Sequence, residues 1–444
     1  MSMQHRIAAA VSAITVALVL AGAGCSRQPD ASSSAPLIRI SCGAVGLELV
    51  LCREGAERWA SATGNRVEVI STPNSTTERL ALYQQLLGAG ADDIDVLQVD
   101  VIWPGILAPH LLDLGPAADG ATQAHFPAII ANDTVDGRLV AMPWYGDAGV
   151  LYYRSDLLDK YGEAVPQTWE ALTKSAARIQ AAEHAAGNER LWGFVWQGRA
   201  YEGLTCNALE WIASHGGGTI VDENGRITVD NPRAATALEL AAGWVGAISP
   251  PGVLNYAEEE ARGVFQSGNA VFMRNWPYAW TLAQGADSPV RGHVGVAPLP
   301  AGPDGHSVSA LGGWQLAVSR YSRHPELATG LVLYLTGPEE QRRRAIAGAY
   351  QPTIPALYRD PDVLAANPFF RDLYATLVNA VPRPSGVAGA RYNELSSEFW
   401  TSVSSVLSGR SSAPDALAAL RPRLARLLRS TQTAGAAPAE NPVP

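Results

Sequence analysis

Charge is scarce in this chain: only 17% of its 444 residues are charged, and only two of those, Lys160 and Lys174, are lysines. Neither lysine follows a glycine, so a P-loop is excluded and with it an ATPase role. The formal net charge is −9 and the longest basic run is Arg342-Arg343-Arg344, which argues against a nucleic-acid-binding face or a polybasic membrane surface. The eight histidines are scattered without a His-x-His or HExxH pair, and the four cysteines form no CxxC. Metal-ligand spacing is therefore missing, and neither a metal nor another cofactor is expected. Serine-hydrolase chemistry has only two fragments, His215-Gly216-Gly217-Gly218 and Gly305-His306-Ser307-Val308-Ser309. The second ends in Ser where a nucleophile elbow requires Gly, and no clear strand precedes it. No internal repeat is apparent.

What is abundant is apolar material, 47% of the chain, enough for two globular domains of ordinary size. The first apolar run, residues 7–24, follows Arg6 and ends in Ala21-Gly22-Ala23-Gly24. Its length and small-residue end suit a cleaved export signal better than a permanent span. Cys25 stands where that signal ends, ahead of Gln28-Pro29-Asp30-Ala31-Ser32-Ser33-Ser34, a tether-like stretch. The expectation is a signal peptide over 1–24 and a lipid-anchored tether over 25–36, with Cys25 acylated. Gly22 occupies the position where a lipoprotein signal usually carries Leu or Val, and cleavage after Ala23 with ordinary secretion is the alternative. Beyond it, Cys42 and Cys52 are close enough to close a small loop, a disulfide that an oxidising compartment would permit. Cys206, on an apolar helix, reads as a buried free thiol.

From residue 37 the periodicity predicts strand 37–40, helix 47–63, strand 66–70, helix 76–87 and strand 94–99. Two successive βα units imply a parallel sheet with right-handed crossovers, and ligands in such sheets bind beyond the carboxyl ends of the strands. That places residues 42–45, 71–76 and Asp100 around one rim. A second α/β pattern runs through strand 150–153, helix 169–182, strand 193–196, helices 203–214 and 258–266, and strands 270–273 and 293–297. Strand 313–319 is too isolated to belong to it. Helices are then expected at 325–335, 338–348, 368–378, 395–407 and 413–429, before an Ala/Pro-rich disordered tail at 431–444.

Three aromatic clusters fall in loop-like punctuation: Trp144-Tyr145-Gly146-Asp147, Asn275-Trp276-Pro277-Tyr278-Ala279-Trp280 and Gly312-Gly313-Trp314. A flat ring beside a carboxylate, Gly or Pro suits a sugar, whose C–H faces stack on rings while its hydroxyls need polar partners. Any one of these tryptophans could instead plug the end of a core; three clusters together favour a cleft.

At these motifs the chain resembles a known family. Asp147-Ala148-Gly149-Val150-Leu151-Tyr152-Tyr153-Arg154 and Asn275-Trp276-Pro277-Tyr278-Ala279-Trp280 are the strongest segments. Asp95 to Trp103, Trp192 to Gly198, Val294 to Pro300, Leu311-Gly312-Gly313-Trp314 and Asn379-Ala380-Val381-Pro382-Arg383-Pro384 extend the match over nearly all of 38–430. They are similar to the solute-binding proteins of carbohydrate ABC importers, within the trehalose/maltose-binding family.

The resemblance implies an α/β, two-lobed periplasmic-binding-protein clamp of type II with a hinge between the lobes. The N-terminal lobe would comprise 37–147 and 300–323, the C-terminal lobe 148–299 and 324–430. Asp100 and Asp147 would accept hydrogen bonds from sugar hydroxyls, with Glu48, Arg79 and Arg383 completing the polar set. Tyr145, Trp276, Tyr278 and Trp314 would form stacking walls, and the Gly313 amide would point at the ligand. Asp147 and Arg383 would stand on opposite sides of the cleft. The implied partners are a disaccharide, a membrane permease with its ATPase, and the membrane through the anchor. The implied state is a monomer, outside the cytoplasmic membrane.

Residue by residue, plainer roles compete: Asp100 could cap the helix near Pro104, Glu48 and Arg79 could be solvated helix residues, and Arg383 could pair with a surface carboxylate. Asp147 is harder to dismiss, because a carboxylate entering an apolar strand is costly to bury. The rival class is a glycoside hydrolase using Asp100 and Asp147 as its carboxylate pair. A sugar sensor would use the same clamp.

Overall fold

The computed structural model describes residues 35–434. The expected signal peptide, the acylation at Cys25, the tether up to Ser34 and the tail from 435 lie outside the described residues.

The first βα units form as their caps and periodicity dictate. β1 (Leu37–Cys42) leads to α1 (Glu48–Thr63), which stops at Gly64 with φ +73°, a left-handed conformation that costs glycine little. β2 (Arg66–Ser71) follows, and α2 (Thr76–Gly88) is capped by Ser75, whose side chain accepts from the Glu78 amide. β3 (Val96–Asp100) is buried throughout. β1 pairs in parallel with both β2 and β3. Strand Leu311–Val318 joins β3 antiparallel and is itself paired antiparallel with Met142–Ala148, completing a five-stranded sheet.

The chain passes from Ala148 to Val150 through the single residue Gly149 and enters a second sheet. There Val150–Arg154 lies between Val294–Pro298 and Ala270–Asn275, both antiparallel to it, and Trp192–Val195 closes the other edge in parallel. Gly149 has no room for a side chain, because the buried Arg274–Glu210 ion pair occupies that space. Two more segments complete the connection between the sheets. The chain returns before Leu311, and the residues around Val381 pair with Ser309 and Leu311 through two backbone hydrogen bonds of 2.8 and 2.9 Å.

Several expectations are corrected. Met142–Ala148 is a strand that was not foreseen, and the expected strand 313–319 begins already at Leu311 and ends at Val318, so two of the three aromatic clusters lie in sheet rather than in loops. Helix Pro232–Trp244 was not foreseen, although Asn231 caps it and Pro232 opens it. Helices Pro325–Thr336 and Pro338–Gly348, assigned above to the second lobe, pack on α1 and the first sheet, where their apolar faces cover Leu316, Val318 and Leu51. Helix Ala413–Ala434 runs past the point where the disordered tail was expected to begin. It packs with Tyr392–Leu407 against Glu202–Ser214 and Pro232–Trp244. Four of the twelve tryptophans are structural in the second lobe: Trp169, Trp196, Trp211 and Trp244 form one buried cluster in which Trp211 meets Trp196 and Trp244 edge to face and Trp169 tilts against Trp244. No described helix is long and apolar enough to cross a membrane.

Candidate functional site

Between the two sheets lies a narrow cavity of about 60 Å³. Nine of the ten residues expected to bind ligand line it: Glu48, Asp100, Tyr145, Asp147, Trp276, Tyr278, Gly313, Trp314 and Arg383. Arg79 does not. Its guanidinium donates twice to the Pro73 carbonyl, at 3.0 and 3.1 Å, and lies 4.3 Å over the Trp314 ring. It braces the wall instead of reaching into the cavity.

The strand ends set these positions. Asp100 terminates β3 opposite Trp314, and Asp147 stands opposite Gly312 on the neighbouring strand pair. A register shift after Trp314 and a φ of +129° at Gly313 bring the backbone within van der Waals distance of the Tyr145 carbonyl, which only a glycine permits. Trp276 follows directly on the second sheet and is held from behind by Arg274, 3.9 Å from its ring, while its indole N–H donates to Glu258.

Five carboxylates face the cavity, and four are already used. Glu48 accepts from the Tyr145 hydroxyl, from Gln98 and from the Val45 amide. Asp100 accepts from the Ile102 amide at 3.2 Å and from Arg383 at 2.8 Å, so it bonds the turn after its strand and forms an ion pair, but it does not cap the helix that begins at Pro104. Glu202 takes Arg383 at 2.8 Å with Tyr392 and Ser396, and Glu258 takes Tyr201 and Trp276. Asp147 is the exception. It makes no hydrogen bond to the protein, and its Oδ1 is fully buried without a partner.

The electrostatics follow. Burial, reinforced by Glu48, pushes the Asp147 carboxyl well above the usual carboxylate range, and Arg274 and Arg344 only partly oppose this. Burial likewise raises Glu202 and Glu258. It works against the Arg383 charge too, but Asp100 foremost among its neighbours outweighs it and holds the guanidinium protonated. Cys206, free and buried in the cavity wall, is pushed up to about 12 and remains a thiol.

Arg383 is therefore a bridge, not one face of the cleft opposite Asp147. It ties Asp100 of the first sheet to Glu202 of the second lobe. The lobes also meet through the Glu78–Arg199 ion pair at 3.0 Å and the Glu202 amide donating to Thr77 Oγ1 at 3.4 Å. The clamp is closed.

Known proteins are similar to this chain in sequence and fold. The family model described as bacterial extracellular solute-binding protein matches residues 53–342. A Deinococcus radiodurans protein named "Probable ABC transporter-binding protein" is 51% identical over 423 residues, covering 94% of this chain and 98% of its own. This chain belongs to the bacterial extracellular solute-binding family. Among solved structures, maltose-bound T. maritima MalE3 is 41% identical with a TM-score of 0.84, covering 88% of this chain and all of that one. A Thermotoga lettingae solute-binding protein bound with alpha-D-tagatose, 22% identical with a TM-score of 0.78, shares the fold. The two-lobed solute-binding fold and the carbohydrate ABC resemblance drawn from the motifs stand.

Within this family member, sequence reasoning missed Glu202, Glu258 and Tyr350 in the cavity wall. For Glu202 a signal existed: helix Glu202–Ser214 is apolar enough to be buried along nearly its whole length yet carries two carboxylates, Glu202 and Glu210. Buried carboxylates require partners, and Arg383 and Arg274 are those partners.

Proposed function

We propose that this protein captures an α-linked glucose disaccharide, trehalose first and maltose or sucrose next, and presents it in the closed clamp to a membrane permease with its ATPase. It would act as a monomer outside the cytoplasmic membrane, tethered through an acylated Cys25. The observation that carries the reading is Asp147. One unpartnered buried carboxylate among Tyr145, Trp276, Tyr278 and Trp314 is what a ligand rich in hydroxyl donors would satisfy. The maltose ligand of T. maritima MalE3 lends support. Glu48, Asp100 and Arg383 then serve chiefly to shape and hold the site, and Arg79 to brace Trp314. Sugar bridging the two lobes would favour closure, the state the permease reads.

A glycoside hydrolase has one observation in its favour, the raised Asp147 carboxyl, since a general acid needs one. Against it, Asp100 is occupied by Arg383 and is not free to act as nucleophile or base. A calorimetric panel of trehalose, maltose, sucrose and glucose tests the proposal, followed by recovery of the bound sugar after long incubation. Saturable binding with the disaccharide returned intact supports a carrier. Glucose release that disappears in Asp147→Asn establishes the hydrolase, and no binding to any of the four sugars overturns the ligand assignment.

A further inference from the structure

Arg344, so far named only as partly opposing the raised Asp147 carboxyl, is an unusual buried charge among the described residues. It sits on helix Pro338–Gly348 with 1% of its surface exposed, and none of its three guanidinium nitrogens has a hydrogen-bond partner. Its surroundings are rings. The guanidinium carbon lies 3.8 Å from the Trp144 ring centroid, 4.7 Å from that of Tyr350 and 5.0 Å from that of Tyr145. Tyr145 and Tyr350, with centroids 4.8 Å apart, are both cavity walls. The Tyr145 hydroxyl in turn donates to Glu48, and the Tyr350 hydroxyl donates to the Val45 carbonyl at 3.2 Å. A buried guanidinium is normally paired with a carboxylate, because its desolvation is otherwise uncompensated. Ring faces repay part of that cost, but a Leu or Met would fill the same space without any cost of charge burial. The charge itself therefore needs a reason.

Resting on the sugar-binding reading above, we propose that Arg344 is a positioning residue of the binding site: through Tyr145 and Tyr350 it fixes one wall of the cavity, and its charge lies behind that wall as the counter-charge to Glu48 and Asp147. The groups facing Asp147 make this charge necessary. They are the carboxyl groups of Glu48 from α1 and Asp100 from β3, against Arg274 from the second sheet and Arg344, with the hydroxyls of Tyr145, Tyr152, Tyr350 and Tyr358 also within the reach of the Asp147 charge. Arg274 is already paired with Glu210, and Arg383 is shared between Asp100 and Glu202. Arg344 alone among these guanidinium groups has no carboxylate bonded to it. Its field is left to act on the ligand-binding acids, and burial with the opposing field of Arg343 lowers its own pKa, while Tyr145, Tyr350 and Glu48 support its charge.

The test compares Arg344→Met and Arg344→Lys with the parent protein. Asp147 is titrated in sugar-free protein by the infrared carboxylate band that Asp147→Asn removes, and maltose binding is measured against pH. In Arg344→Met the Asp147 midpoint is expected to rise by roughly one pH unit, the order expected for losing one charge behind an aromatic wall. Maltose affinity should fall roughly tenfold near neutral pH, with its acidic limb moved up by the same unit. Arg344→Lys, which keeps the charge and loses the planar stack, should keep the midpoint and lose only part of the affinity. An unmoved Asp147 midpoint in a folded Arg344→Met protein overturns the proposal and makes Arg344 a packing residue. If Arg344→Met does not fold, Arg344→Gln, neutral but polar, decides by the same reading: a raised Asp147 midpoint supports the proposal, and an unmoved one overturns it. Absence of maltose binding in the parent protein would defeat the functional reading, while the infrared titration would still decide the role of Arg344.

Discussion

Asp147 and Gly312 stand opposite each other in antiparallel register, and a β-carbon on Gly312 would lie 3.2 Å from that of Asp147 and 3.1 Å from the Trp276 ring. The missing side chain thus sets the spacing between the free carboxylate and the nearest aromatic wall. Gly312→Ala should displace Trp276 by a few tenths of an ångström. Maltose affinity is expected to fall about fivefold to tenfold, roughly 1 kcal/mol, with little change in melting temperature. Parent affinity in the variant would show that the wall tolerates the shift.

Asp147 opposes stability to serve binding. Its folded-state pKa lies above its unfolded value, so the native protein holds more protons than the unfolded chain between the two, and stability falls as pH rises through that window. Asp147→Asn removes the penalty. The sugar-free variant should be more stable at neutral pH by roughly 1 to 3 kcal/mol, the cost of an unsatisfied buried polar group, and its advantage should shrink as pH falls towards the ordinary carboxylate range. Its sugar affinity should drop by a similar amount. Thermal melts across pH, with calorimetry at pH 7, check both; a variant less stable than the parent at neutral pH contradicts the account.

Trp276 is held on one side by Arg274 and at its indole nitrogen by Glu258, so it enters the cavity already ordered. Removing a preorganised aromatic anchor from a desolvated site costs about 1 to 3 kcal/mol. Trp276→Ala should lose that much sugar affinity and most of the ligand-induced change in intrinsic fluorescence. Unchanged affinity in a folded variant would return Trp276 to the core.

Cys42 and Cys52 are joined as a disulfide, ten residues apart, at the end of β1 and within α1. The loop they enclose carries Val45, which donates to Glu48, and Gly46, which packs on Tyr278. Replacing both by serine should lower stability by about 3 kcal/mol, from the entropy of closing a loop of that length, and should also weaken sugar binding by loosening the Glu48 side of the cavity. Denaturant melts and calorimetry on the double variant separate the two effects; stability lost with affinity intact would confine the bond to a folding role.

Much of the fold was legible in the sequence because it is written within short windows. Strand and helix positions across both lobes follow from periodicity, from Ser75 and Gly64 as caps, and from the proline that opens helix Pro338–Gly348. Where local signals conflicted, the reading failed. Gly146 made the strand Met142–Ala148 look like a loop, since nothing nearby reveals that this glycine faces Gly313 across a sheet.

For the site, the sequence alone determined which residue types were available and, through the motifs, that Asp147, Trp276 and Trp314 belong together. What each charge does was decided only in three dimensions. Arg383 meets Asp100 across 283 residues and Glu202 across 181, Arg79 ends over Trp314, and Arg344 enters a cage of rings from a helix assigned by sequence to the other lobe. A helix cap is settled by neighbours a few positions away, whereas the partner of a buried charge is whichever group the folded chain brings within a few ångströms in a medium of low dielectric, where that choice carries most of its energy.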